Sequence, residues 1–267
     1  KDVDRRFYKT RLEQFLPDRL VDIHTHIWLA RFHCRKADPA TRAVTWPGRV
    51  AGENSVEDLV ETYRLMFPGK KVTPLIFSNV LSRKSKFHTA NRYVATHARK
   101  RGFPALIFAL PEWSAAEFEQ RIEAGGFLGA KVYLSFSPPQ IKEKDIEIFD
   151  FIPRHQIEVL SRRGWILMLH IPRPGRLKDP VNLKQLVEID RRYPGAHVIV
   201  AHVGRAYCPE DVGNAFEVLA KTQRLVFDFC ANTNADVFYQ LIRAVGPQRI
   251  LFGSDLPITR MRMRRVC

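Results

Sequence analysis

An α/β barrel of eight parallel strands, each followed by a helix, is the fold class this sequence predicts. Three observations carry it. Short continuous apolar runs such as Ile166-Leu167-Met168-Leu169 and Val198-Ile199-Val200-Ala201 have the character of parallel strands covered on both faces. Helix-period segments separate these runs, giving right-handed βαβ units, and eight such units close into a (β/α)8 barrel. No GxGxxG or P-loop follows any strand, where an open doubly wound sheet would usually carry one. A length of 267 residues suits one such barrel, so residues 1–267 are read as a single domain.

The elements follow in order. A helical lead-in over residues 7–15 precedes Pro17, and the first strand covers residues 20–24. A polar connection over residues 28–54 contains Pro39, Pro47, Gly48 and Gly52, and is placed over the barrel mouth. Ser55-Val56-Glu57-Asp58 is a capping box opening a helix that runs to Met66, where Pro68-Gly69 ends it. Strands are then expected at 72–77, 105–109, 129–134, 165–169, 198–201, 225–229 and 249–252. Helices are expected between them at 90–101, 114–124, 144–163, 182–193, 210–221 and 235–245. Gly102, Gly125-Gly126, Gly164 and Pro194-Gly195 supply helix stops. The stretch after Asp255 is too short for a settled eighth helix, so the last helix is expected to be missing.

Composition bounds the partners. Hydrophobic residues make up 45% of the chain and aromatics 11%, which suffices for a large core and argues against disorder. No apolar run approaches the roughly 20 residues of a membrane span. The charged start, Lys1 to Arg6, leads into no signal-type segment, so a cytoplasmic protein without membrane attachment is expected. Cys34, Cys208, Cys230 and Cys267 show no CxxC pairing and fit reduced, incidental thiols. The net charge of +15 attracts anions. With no aromatic-studded RNA motif or helix-turn-helix signature, it fits a small anionic substrate better than nucleic acid. A homo-oligomer is expected.

The active site of such a barrel lies at the C-terminal strand ends. The first strand ends in His24-Thr25-His26, the fifth in His170, the sixth in His202 and the eighth in Gly253-Ser254-Asp255. The seventh ends near Asp228 and Asn232, and Lys131 lies on the fourth. On a strand, His24 and His26 point the same way. Four of the nine histidines, converging with a carboxylate, make a divalent metal site. Imidazole and carboxylate ligands suit Zn²⁺ first, with Mn²⁺, Fe²⁺ or Co²⁺ as other occupants. Three His and one Asp leave room for a water whose pKa falls toward ~7, and a further His near it can move protons or polarise a carbonyl.

Those strand-end residues, in that order, resemble the amidohydrolase superfamily. The tail from Val245 to Pro257, VGPQRILFGSDLP, is especially similar to the amidohydrolase-related (amidohydrolase 2) branch, which includes aminocarboxymuconate-semialdehyde decarboxylase and related nonoxidative decarboxylases and hydrolases. The resemblance covers essentially the whole chain. It implies metal ligation by His24, His26, His170 and Asp255, with His202 as acid/base and carbonyl-polarising residue and Asp255 accepting a proton from the metal-bound water. In two-metal members the strand-four Lys becomes a bridging carbamate. The tail resembles the one-metal branch, so one ion per chain is expected, with Lys131 an unmodified, substrate-facing cation.

Arg173 and Arg176, in the loop after His170, and Arg205, just past His202, are placed to hold a carboxylate or phosphate over the mouth. Trp28 is a candidate pocket wall, Asn232 a candidate substrate contact, and Asp22 a supporting acid facing away from the ligands. The expected activity is hydrolysis of an amide, ester or lactone of a small acidic substrate by metal-activated water. The alternative is nonoxidative decarboxylation of a carboxylated substrate on the same scaffold.

Overall fold

The structure is a computed structural model that describes residues 2–33, 50–79 and 86–260. Eight parallel strands form it: β1 Arg19–His26, β2 Lys71–Phe77, β3 Ile107–Phe108, β4 Gly129–Lys131, β5 Ile166–Leu169, β6 His197–Val200, β7 Val226–Asp228 and β8 Ile250–Leu251. β1 pairs with β2, and β3 to β8 pair in chain order. Isolated parallel bridges close the ring, Ile76 to Ala105 between β2 and β3, and Thr25 to Leu256 between the chain after β8 and β1. Around it lie α1 Asp2–Phe7, α2 Val56–Met66, α3 Phe87–Arg101, α4 Ala115–Gly125, α5 Arg154–Arg163, α6 Pro180–Arg192, α7 Ala215–Leu219 and α8 Ala235–Val245.

Strand periodicity sorts the apolar residues into two layers. On β5 and β6, Leu167, Leu169, Val198 and Val200 face the helices. Met168 and Ile199 instead join Leu75, Phe77 and Leu106 inside the barrel. The same alternation turns Lys131, Tyr133 and His170 toward the interior at the C-terminal ends. The Ser55 capping box is present, with Ser55 Oγ accepting from Asp58 N and the Asp58 carboxylate accepting from Ser55 N. α8 opens on Asn234, whose side chain accepts from Asp236 N and Val237 N.

Two helices are shorter than the sequence predicts. Residues 144–153 fold as 3-10 turns, Glu143–Asp145 and Ile148–Asp150, and α5 starts only after Pro153. Pro153 lacks an N–H and biases Ile152 toward extended backbone, so a helix running through it would be broken there. In the 210–221 stretch only α7 is α-helical, because Gly213 takes φ +53 and interrupts the coil. The expected loss of the last helix falls on residues 261–267, outside the described residues, as does most of the long connection at 34–49. The base of that connection is fixed by an antiparallel bridge between Trp28 and Asn54.

Candidate metal centre

His24 and His26 end β1 on one face, their ring centroids 5.5 Å apart, and both rings meet Phe77 of β2 edge-on. Asp255 reaches them from beyond β8. Its backbone takes φ +56, and its N–H donates to His24 O at 2.8 Å. This turn aims the carboxylate back at the histidines, with Oδ1 lying 3.2 Å from His26 Nε2 and 3.5 Å from His24 Nε2.

Hydrogen bonds on the far nitrogens decide the tautomers. His26 Nδ1 lies 3.0 Å from Ser78 O, which only accepts, so Nδ1 carries the proton and Nε2 presents a lone pair. His24 Nδ1 lies 2.9 Å from Asp228 Oδ2, with the same consequence. Burial first, then Lys131, lowers the His24 pKa to about 3, so its imidazole is neutral near pH 7. Burial would raise Asp255, but its close approach to His26, His24 and His202 holds it below its ordinary value. Two imidazole lone pairs and a carboxylate thus converge, all acceptors, buried and mutually within 4.8 Å. Such a set repels itself unless a cation sits among it, so the residues fit a divalent ion.

His170 and His202 flank this set. The His24 ring lies 5.7 Å from His170 and 5.0 Å from His202. His170 Nε2 and His202 Nε2 are 2.8 Å apart. His202 Nδ1 lies 3.1 Å from Cys230 O, so Nδ1 carries the proton and Nε2 accepts. His170 Nδ1 is buried without a hydrogen-bond partner. Burial, and secondly Lys131, hold the His170 pKa well below the usual histidine range.

Asp228 ties the two groups together. Its Oδ2 takes His24 Nδ1, while Oδ1 accepts from His202 N at 2.8 Å, from the Cys230 thiol at 2.8 Å and from Cys230 N at 3.2 Å. Burial would raise its pKa, but the His24 contact and the converging donors hold it below the carboxylate range. The sequence marked Asp228 as a strand end without giving it a role, and read Cys230 as an incidental thiol. Period-two spacing from Val226 was the signal available for Asp228. Asp22 was expected to face away and does: Oδ2 accepts from Tyr63 of α2 at 2.7 Å, while Oδ1 accepts from Ser254 N and His24 N. It pins β1 to the segment carrying Asp255.

Lys131 is fully buried, with Nζ 3.4 Å from His24 Nε2 and over the Phe77 and Tyr133 rings. Burial lowers its pKa to about 7, against the opposing pull of Asp255 and Asp228. Tyr133 was missed, although it lies two residues beyond Lys131 on the same face. Its ring stacks on His170 at 5.6 Å, and its buried hydroxyl has no partner. Burial and Asp255 push that hydroxyl's pKa well up, so it stays a donor.

The loop residues sit elsewhere. Arg173 pairs with Asp179, the N-cap of α6, and Arg176 with Asp211. Arg205 Nη1 contacts the carbonyls of Ile171 and Pro172, at 3.4 and 3.3 Å. Asn232 Nδ2 donates to Ala206 O at 2.7 Å. Trp28 is fully buried with Phe32, Phe108 and Phe136, and its indole donates to Gly52 O. Each is engaged with the protein around it rather than with the histidine cluster. Cys208 is disulfide-bonded, so among the described residues only Cys230 keeps the free thiol the sequence suggested. No helix of the described residues is long and apolar enough to cross a membrane.

The sequence profile of the amidohydrolase family, Amidohydro_2, matches residues 21–264. A search of curated protein sequences gives no match. Among solved structures, the chain is similar to an amidohydrolase 2 from Bifidobacterium longum subsp. infantis, with TM-score 0.61, 14% identity and coverage of 93% of this chain and 88% of that one. It is similar to 5-carboxyvanillate decarboxylase from Sphingomonas paucimobilis at TM-score 0.61 and 13% identity, covering 94% of each chain. It also resembles a dihydroxybenzoic acid decarboxylase from Polaromonas sp., solved with manganese and the inhibitor 2-nitroresorcinol, at TM-score 0.56 and 15% identity, covering 91% of this chain and 87% of that one.

Proposed function

The chain belongs to the amidohydrolase family, and from that premise we propose that it is a metal-dependent, nonoxidative decarboxylase of a small aromatic carboxylate. The observation that carries this is the pairing of an acceptor-only cluster, His24, His26 and Asp255, with two buried donors, Lys131 and Tyr133. The cluster calls for a cation, and the donors for an anionic substrate. The manganese-containing dihydroxybenzoic acid decarboxylase and the 5-carboxyvanillate decarboxylase support that substrate class. Their likeness favours the decarboxylation that the sequence ranks second to hydrolysis.

The proposed ligands are His24, His26, His170 and Asp255, holding one divalent ion. Such an ion, when bound, would supply positive charge for an anionic substrate. The chain's own residues do the rest. Lys131 Nζ and Tyr133 Oη orient the anion, and Phe77 and the Tyr133 ring form a dry wall in which those hydrogen bonds strengthen. His202, protonated on both nitrogens for the step, delivers the Nε2 proton to the ring carbon bearing the carboxylate. The carbon–carboxylate bond then breaks, its electron pair restores the aromatic ring, and carbon dioxide leaves. Asp228 and Cys230 O keep the His202 ring oriented throughout.

The test is to load the protein with Mn²⁺ or Zn²⁺ and offer 2,6-dihydroxybenzoate, 5-carboxyvanillate, lactones and N-acyl compounds. Carbon dioxide and proton release are followed separately. Carbon dioxide release from an aromatic acid, abolished by chelation, is the expected result. Acid release from lactones or amides without carbon dioxide would overturn it. Elemental analysis showing one ion per chain is expected, and two ions would move Lys131 to a bridging role.

A further inference from the structure

Two neighbouring helix seams on the outside of the barrel are built differently. Between α4 and α5, Arg162 pairs with Glu119 at 2.6 Å and Arg163 pairs with Glu123. That seam is zipped by opposite charge. Between α3 and α4 lies instead a crevice of about 510 Å³. Its rim carries His88, Arg92 and Arg99 from α3 and Arg121 from α4, and no acidic residue lines it. The first three recur at helical spacing and so stand along one face of α3.

Arg121 is half-buried, pairs with Glu117, lies over the Trp113 ring and reaches His88 Nδ1 at 3.2 Å. Arg92 and Arg99 are exposed and form no ion pair among the described residues. Arg101, on the same helix, does find an acid in Glu57. Among the described residues Arg92 and Arg99 thus stand unneutralised along one face of α3, and an anion beside them would gain their charge. The lining mixes apolar Ala95, Ile107 and Phe127 with polar Asn91 and Thr96, and a larger side chain at the half-buried Ala95 would narrow the gap. Gly125 lets the Phe127 ring lie against the end of α4, since a Cβ there would fall 2.1 Å from the ring.

We propose that this crevice between α3 and α4 is a second ligand site, distinct from the histidine cluster, that binds a small organic anion by its oxyanion and its flat apolar body. Its volume lies within the range of small-molecule sites. The rim matches an oxyanion through Arg92 and Arg99, and the apolar lining residues match an aromatic or short aliphatic group.

The test uses the full chain and 8-anilinonaphthalene-1-sulfonate as a fluorescent probe, with phenyl phosphate and benzoate as competitors. Wild type is compared with Arg92→Glu/Arg99→Glu and with Ala95→Leu, which narrows the gap and keeps every charge. One saturable crevice site is expected. The affinity for it should fall at least tenfold in each variant and fall again on raising the salt. Thermal melts and turnover of the metal-loaded enzyme should be unchanged, because no rim residue touches the histidine cluster. Wild-type affinity in either variant would overturn the proposal. Loss in the charge variant alone would reduce the crevice to surface ion attraction, which also overturns it. A changed sedimentation coefficient in either variant would reassign the crevice to a second copy of the chain.

Discussion

Replacing Asp228 by asparagine should disable the metal centre without touching a proposed ligand. Asp228 Oδ1 receives three donors, His202 N, Cys230 N and the Cys230 thiol, whereas Oδ2 receives only His24 Nδ1. An asparagine side chain keeps one acceptor oxygen, and three donors outvote one for its position. Its NH2 group is then turned toward His24 Nδ1. That nitrogen must become an acceptor, so the proton moves to Nε2 and points an N–H at the place where the lone pair is needed. Replacing a supporting partner of this kind typically costs about 10- to 100-fold in metal affinity, which is about 1.4–2.7 kcal/mol. Neutralising the acceptor also weakens two short charge-assisted hydrogen bonds by roughly 1 kcal/mol each, so a stability loss of about 2 kcal/mol should accompany it. Metal affinity is to be measured by competition with a chromogenic chelator at fixed pH, and the His24 tautomer by imidazole nitrogen NMR. Affinity within twofold of wild type, in a folded variant with an unchanged His24 tautomer, would refute the reasoning.

Four further outcomes follow from the same geometry. His202→Asn should keep most of the metal and lose about 10²- to 10⁴-fold in turnover, the usual worth of general acid–base catalysis; loss of the metal would make His202 a ligand instead. Tyr133→Phe should leave metal content intact and weaken substrate use by about tenfold, the cost of a buried hydrogen bond to a charged group, and unchanged kcat/KM would remove Tyr133 from the site. Burial lowers Lys131 from the ordinary lysine value of 10.5 to about 7 in the folded protein, so the unfolded chain binds the extra proton between these values. Stability of the metal-free protein should therefore rise with pH across that window, and Lys131→Met should flatten the rise in chemical denaturation. Ser55→Ala should cost about 1 kcal/mol through loss of the α2 cap, with no effect on metal uptake.

Much of the barrel was legible because strand and helix periods are local. The capping box at Ser55 and the Asn234 start of α8 are written within four residues of where they act. His24, His26 and Asp255 were found because a barrel sends its strand ends to one place, so position along the strand stands in for position in space. Asp228 could be located in the same way, but not its task. That task depends on a partner 204 residues earlier and on which carboxylate oxygen faces which donor. The loop arginines show the opposite side of this: their local partners could not be read from position along the chain. Arg173 finds its acid only six residues away, in the cap of the next helix. A guanidinium near the mouth is therefore no free cation when a local carboxylate is already in reach. Pro153 and Gly213 lie inside the stretches 144–163 and 210–221 and mark where those helices are cut short.

Backbone conformation shows why one carboxylate can serve both histidines. His202, Val203, Gly204 and Arg205 all take φ between 53° and 61°, a left-handed turn immediately after β6. For residues with a Cβ this conformation costs roughly 1–2 kcal/mol each, and most for a β-branched one such as Val203. The turn persists because its surroundings over-determine it. His202 N donates to Asp228 Oδ1 at 2.8 Å, Gly204 N donates to Ala201 O at 2.9 Å, and the Val203 side chain is fully buried. A Cβ on Gly204 would lie 2.5 Å from Leu177 Cδ1, so a larger residue there would displace that buried side chain in addition to the backbone strain. An ordinary right-handed turn at this point would re-aim the His202 side chain and the chain that follows it. The energy that holds His202 over the cluster and the energy that fixes the His24 tautomer are thus drawn from the same carboxylate. Substitutions at His24 and in the left-handed turn should consequently be non-additive in metal affinity, although the two segments share no direct hydrogen bond, because each changes what Asp228 can offer the other.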